Sequence, residues 1–135
     1  MAVERGPCGE KVGRAVDVEA SEASVGGEKL PGVYIRWLVS DKDGAPTFAM
    51  RMFTAEPGSH IPGHSHPWEH EIFVLSGSMR VRIGEREYAV GQGDFLYIPP
   101  NVHHEYFVGD KGVVFLCMIP LKPSVGEDYN PCKKG

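Results

Sequence analysis

Residues 58–77, GSHIPGHSHPWEHEIFVLSG, constrain this chain more than any other stretch, because four of its six histidines fall in their first 13 positions. Side chains on a strand alternate faces, so residues of equal parity point the same way. His64, His66 and His70 are all even, and Ile72 and Val74 carry that face on into an apolar run. The parity predicts three imidazoles converging on one side of a strand, with Glu69 and Glu71 turned to the other. Pro67 cannot donate to a ladder and marks a bend or bulge inside the run. His66 and His70 are also four apart, a spacing that pairs two ligands on one helical face. Pro-Trp-Glu stands between them and aromatic and β-branched residues follow, so a helix is disfavoured.

The rest of the chain reads as short strands between Gly and Pro turns. Residues 33–39 alternate and are rich in strand formers, and Asp41-Lys42-Asp43-Gly44 supplies a turn. Residues 47–55 form the next strand and 56–58 the turn into the histidine stretch. Arg51 is a charge inside that otherwise apolar strand: either a solvated side chain on the outer face or a guanidinium placed in a cavity for an anionic substrate. Ser76-Gly77 closes the histidine strand, and after it residues 79–83 place apolar side chains on odd positions and arginines on even ones, a strand with one wet face. A turn at Gly84-Glu85 makes a hairpin with residues 87–90, and residues 95–98 and 112–119 are further strands. In the last of these, Phe115, Cys117 and Ile119 share a parity and are candidate cavity residues; Cys117 reads equally as an ordinary buried small hydrophobe.

Residues 1–29 are rich in Gly, Glu, Ala and Ser and read as a partly flexible arm with one short strand at 15–18. Residues 30–120 form a single domain and 121–135 a Pro-, Gly- and Lys-rich tail outside the core. At 135 residues the chain has room for one real core. Some eight short strands with many glycines and prolines predict an all-β, double-sheet jelly roll.

The net charge of −4 gives nucleic acid no basic stripe to bind. No apolar run approaches the roughly 20 residues of a membrane helix, and residues 1–13 lack the hydrophobic region of a signal peptide, so a cytoplasmic location is expected. Cys8, Cys117 and Cys132 have no ligand spacing, and their odd number argues against a disulfide framework.

The histidine stretch resembles the first cupin motif, in which Gly, five residues, His-x-His, three or four residues, Glu, six residues and Gly follow in order. Gly58, His64, His66 and Gly77 stand at those positions, and His70 stands where the glutamate usually is. Gly93, Pro99 and His104 resemble the second motif, with Asn101 at its second glycine, a residue that tolerates left-handed backbone. The resemblance covers roughly residues 30–120 and implies a cupin double-stranded β-helix barrel. The stretch resembles that of small single-domain cupins whose metal is held by four histidines, which implies His64, His66, His70 and His104 as ligands; His103, of opposite parity to His104, is expected to point away.

Four neutral imidazoles leave a divalent ion most of its charge, so a more electrophilic metal is expected than with a carboxylate at position 70. Imidazole suits Fe, Cu, Zn or Ni; the resemblance favours Mn. The expected function is a metal-dependent oxidoreductase, dioxygenase-like, acting on a small organic molecule in the barrel. The alternatives are a non-redox isomerase or lyase and a non-catalytic metal or small-ligand binding module. Small cupins are commonly dimers, and residues 33–39, carrying Trp37, are the expected edge for pairing into a homodimer.

Overall fold

The computed structural model describes residues 2–132. Strands β1 (Glu4–Arg5) and β2 (Lys11–Val12) form a small hairpin of their own. A 3-10 turn at Ala15–Asp17 leads into β3 (Ala20–Val25) and β4 (Glu28–Val39), and a second at Asp41–Asp43 into β5 (Phe48–Ala55). Strands β6 (His60–His64), β7 (His70–Ile83), β8 (Arg86–Gly91), β9 (Phe95–Ile98) and β10 (His104–Pro120) complete a nearly all-β cupin-type jelly roll.

The two long strands, β7 and β10, belong to both layers. The first part of β10, His104 to Val108, lies between β6 and the end of β7; its second part, from Val113, lies between β5 and the start of β7. The register between β7 and β10 jumps from Val108↔Met79 to Val113↔Gly77. At that bend Gly77 has φ 77°, and a Cβ there would sit 2.1 Å from the Gly112 carbonyl oxygen, so only glycine fits. One layer therefore runs β3-β4-β5-β10-β7-β9 and the other β6-β10-β7-β8. Val33, Ile72, Val74 and Phe115 from the first layer meet Ile61, Met79, Val81 and Tyr106 from the second, all buried. Burying each such aliphatic or aromatic side chain contributes about 1.5–3 kcal/mol, which holds the layers face to face.

Four expectations are corrected. The strand expected at 15–18 is a 3-10 turn, closed by Asp17 N–H to Arg14 O and Val18 N–H to Ala15 O; Val16 is exposed and has no face to join. Residues 20–25 of the expected arm are instead β3, paired along β4 despite a Ser-, Ala- and Glu-rich sequence. Residues 34–36 are not an edge, because β3 pairs with them on one side and β5 on the other; in the rest of the expected edge Trp37 and Val39 pair with β5 alone. Gly77 does not end a strand; it is the bend inside β7. The last three residues of the expected tail lie outside the described residues.

Candidate metal centre and its cavity

Each histidine of the candidate centre stands at a strand end or in the loop between two strands. His64 ends β6, His66 lies in the following loop, His70 begins β7 and His104 begins β10. His64 and His104 are Cα partners across β6 and β10. The strand is interrupted at residues 65–69, as Pro67 predicted, yet all four rings converge. Ring centroids lie 4.4 Å apart for His64 and His104, 4.7 Å for His64 and His66, 4.9 Å for His70 and His104, and 5.3 Å for His66 and His70. The ligand atoms of His64, His66 and His104 all lie within 4.8 Å of one another; His70 is not part of this group. His103 is exposed, against Gly63.

The second nitrogen of each fixed ring shows which atom is free. Nδ1 of His64 donates to Pro62 O at 2.7 Å and Nδ1 of His104 to Val102 O at 2.8 Å, so both rings keep the Nε2 lone pair bare. His70 Nδ1 is 3.4 Å from Cys117 Sγ. Nε2 of His70 and of His104 are buried and have no hydrogen-bond partner. A buried unpartnered nitrogen costs about 1–3 kcal/mol unless something binds it, and a metal ion is what neutral imidazole binds. Burial, followed by neighbouring imidazoles, holds His70 down at about 2 and His104 and His66 at about 4; burial lowers His64 as well. All four are neutral at pH 7, the form a metal requires. The donor set fits a transition metal.

His64, His66 and His70 line a cavity of about 400 Å³, with His104 packed behind them. Arg51, Phe115 and Cys117 line it, whereas Ile119 lines a separate hollow with Trp37, Pro120 and Leu121. Trp37, Arg51, Cys117, Ile72 and Leu96 form one cross-strand row over five strands. Arg51 therefore projects inward with Cys117, and its Nη2 donates to Sγ at 2.9 Å. Burial pushes the Cys117 thiol up, outweighing Arg51, and burial also keeps Tyr106 well above its ordinary range, so both stay protonated.

Apart from Phe115, sequence reasoning missed the aromatic and aliphatic walls. Phe53 and Phe115 stack at 5.0 Å, and Tyr106 continues the wall 6.0 Å from Phe115. The signals were there in parity: Phe53 shares a face with Arg51, and Tyr106 with His104. Trp68 stacks on His66 at 4.5 Å with the ring planes 1° apart. Ala23, Val25 and Leu30 of the β3–β4 hairpin also line the cavity, which no local signal marked. Beneath the His66 loop, Ser124 N–H donates to Pro67 O at 2.9 Å, so the tail braces the ligand loop from outside.

Two facing β-layers with histidines gathered at one cavity define a small barrel built around a candidate metal centre. The family model of the cupin domain matches residues 51–119, and the chain belongs to the cupin family. The polyketide cyclase RemF from Streptomyces resistomycificus superposes with a TM-score of 0.76 at 29% identity, covering 90% of this chain and 88% of that one. A cupin-2 domain from Rhodospirillum rubrum superposes with a TM-score of 0.69 at 24% identity over 87% of this chain and 80% of that one, a likeness of fold. Mannose-1-phosphate guanylyltransferase RfbM of Salmonella typhimurium is 34% identical over 90 residues, which are 64% of this chain and 18% of the relative. The chain spans less than a fifth of the length of the curated relatives it matches. Among the described residues no helix is long and apolar enough to cross a membrane.

Proposed function

We propose that this cupin is a metal-dependent enzyme acting on a small organic molecule in the barrel cavity, with one divalent transition metal held by His64, His66, His104 and His70. The observation that carries this reading is the pair of buried, unpartnered Nε2 atoms of His70 and His104, the first belonging to a residue that lines an open cavity together with His64 and His66. When bound, the ion would supply Lewis-acid polarisation of a substrate carbonyl or, if redox-active, oxygen chemistry. The chain's own residues orient and exclude. Pro62 O and Val102 O fix two ring tautomers, Trp68 backs the His66 ring, and the Phe53–Phe115 wall keeps water from the substrate's flank. The cavity lining contains no carboxylate, so proton transfer falls to the Tyr106 phenol, which holds its proton at neutral pH, or to solvent.

Lewis-acid chemistry is the leading reading, supported by the all-neutral ligand set and by the 29% identity with a polyketide cyclase. Oxygen-dependent oxidation is the second, favoured by His70 standing outside the tight group of three histidines, which would leave more coordination positions open. Protein purified without a nickel column should carry close to one equivalent of a transition metal, Mn, Fe, Ni, Cu or Zn. Less than about a tenth of an equivalent, with none recovered on adding these ions, would end the proposal. Oxygen consumption by the Mn, Fe and Cu forms then separates the two chemistries, inertness in all three removing the second.

A further inference from the structure

Among the described residues Arg51 is the one formal cation of the cavity lining, and none of the lining residues is acidic. Among the described residues no carboxylate pairs with it. A half-buried guanidinium without a counter-anion is costly, and this one is held by weak partners only. Its Cζ lies 5.0 Å from the Phe53 ring centroid and 5.5 Å from that of Trp37, and its one side-chain acceptor is the Cys117 sulfur, a poor one. The buried Nε has no partner at all. Guanidinium offers five donors in a planar fork that suits a carboxylate.

Charge and shape agree on the occupant. The histidines are neutral, so a divalent ion added to Arg51 makes the cavity strongly positive with nothing in its lining to cancel it. Phe53 and Phe115 are stacked 15° from parallel, so the pair offers an outer aromatic face to a flat body, and Val25, Leu30 and Ile61 add aliphatic surface to the lining. At about 400 Å³ the space is near the lower end of small-ligand cavities.

We propose that the cavity selects a small planar organic anion, carboxylate or enolate, with Arg51 as the residue that receives its charge and the Phe53–Phe115 stack as the surface under its flat body. This rests on the cavity being the substrate site, as proposed above, but not on the identity of the metal.

The test uses the full chain freed of metal with EDTA and titrated with benzoate, its neutral isostere benzamide, and the non-planar cyclohexanecarboxylate, followed by tryptophan fluorescence and calorimetry. Benzoate is expected to bind at least about 10-fold more tightly than either competitor. Arg51→Met should bring benzoate and benzamide within about twofold of each other, and Arg51→Lys should keep part of the preference, both with unchanged circular dichroism. Should Arg51→Met not fold, Arg51→Gln takes its place. Equal binding of benzoate and benzamide, no binding of either at about 20 mM, or a preference that survives Arg51→Met overturns the proposal. So does a preference seen only after metal is added, since the ion and not Arg51 then reads the charge; cyclohexanecarboxylate matching benzoate removes the planar requirement and with it the proposal as stated. Stoichiometric metal without anion preference sinks this inference and leaves the metal centre; anion preference in a chain that holds no metal does the reverse.

Discussion

Arg51 and Cys117 are Cα partners across β5 and β10, and their side chains meet at 2.9 Å, the guanidinium donating to the sulfur. The same sulfur lies 3.4 Å from His70 Nδ1, so one thiol joins the Arg51 guanidinium to a candidate ligand. His64 and His104 are oriented by backbone carbonyls, which no substitution removes; His70 is oriented by a side chain, which one can. Cys117→Ala should lower metal affinity about 10-fold, within the range for loss of an outer-shell partner, and Cys117→Ser, which keeps an acceptor, should restore most of it. Deleting this buried sulfur should also lower stability by about 1–2 kcal/mol. Calorimetric metal titration of both variants decides, and wild-type affinity in Cys117→Ala would show that the sulfur does not position His70.

The four histidines should not be equivalent. His64, His66 and His104 form the tight group, so replacing any of them by Ala should reduce metal affinity by about 100-fold or more. His70→Ala should weaken it less, with the fold retained, because the remaining three still converge. Metal content after dialysis, read beside circular dichroism, distinguishes the cases. Unfolding of His70→Ala would make the ion structural and remove the footing of the catalytic reading.

The metal-free protein should lose stability as pH falls from 7.5 to 5. His70 and His104 are held at about 2 and about 4, burial being the first cause, against an ordinary 6.5 in the unfolded chain. Below 6.5 the unfolded state takes up protons that the folded state refuses, so the equilibrium moves toward unfolding. Stability is fully present above 6.5 and declines toward the folded-state values. Each group contributes up to about 1.4 kcal/mol per pH unit within that window. Urea midpoints at pH 7.5, 6 and 5 measure the slope; a midpoint independent of pH at constant m would contradict neutral, buried imidazoles.

The N-terminal hairpin depends on one carboxylate. Arg5 reaches Asp43 at 2.7 Å and Lys11 reaches it at 3.1 Å, while Asp43 also accepts from the Ser40 N–H. Burial alone would raise this carboxyl; these partners outweigh it and hold it at about 2. The anchoring is present above the ordinary 3.8 and is lost as pH falls toward about 2. Asp43→Asn should release β1 and β2, seen as faster proteolysis within residues 1–14 at neutral pH, with metal affinity unchanged. Equal proteolysis in the two proteins would show that other contacts hold the hairpin.

Spacing made the centre legible where chemistry and local geometry coincide. The histidines stand at fixed separations with glycine and proline between them, and Asn101, expected to tolerate left-handed backbone, has φ 63°. The bend of β7 was not legible, because a glycine that ends a strand and one that kinks it read alike; only the approach of Gly112 decides. The strand β3 was hidden for another reason. Ala20–Val25 has little intrinsic preference for a strand, and its place comes from pairing with β4. Ile119 shares parity with Cys117, but β10 runs past the cavity before reaching it, so alternation named the right face and the wrong compartment.

Asn101 ties that legible geometry to function. Its N–H donates to His66 O at 2.6 Å, and its side-chain amide donates to Gly126 O at 3.0 Å and Tyr129 O at 2.7 Å. The left-handed backbone thus aims one donor at the ligand loop while the side chain gathers the tail beneath it. Asn101→Gly keeps the backbone free to adopt φ 63° and loses only the amide bonds, an expected cost of about 1–2 kcal/mol. Asn101→Ala loses both and should cost about 1–2 kcal/mol more, the steric penalty of a left-handed residue with a Cβ. Metal affinity should fall further in the alanine variant, because a shift at residue 101 moves the carbonyl of His66. Urea denaturation and metal titration of the pair measure this, and identical values for Ala and Gly would show that backbone conformation at 101 does not hold the ligand loop.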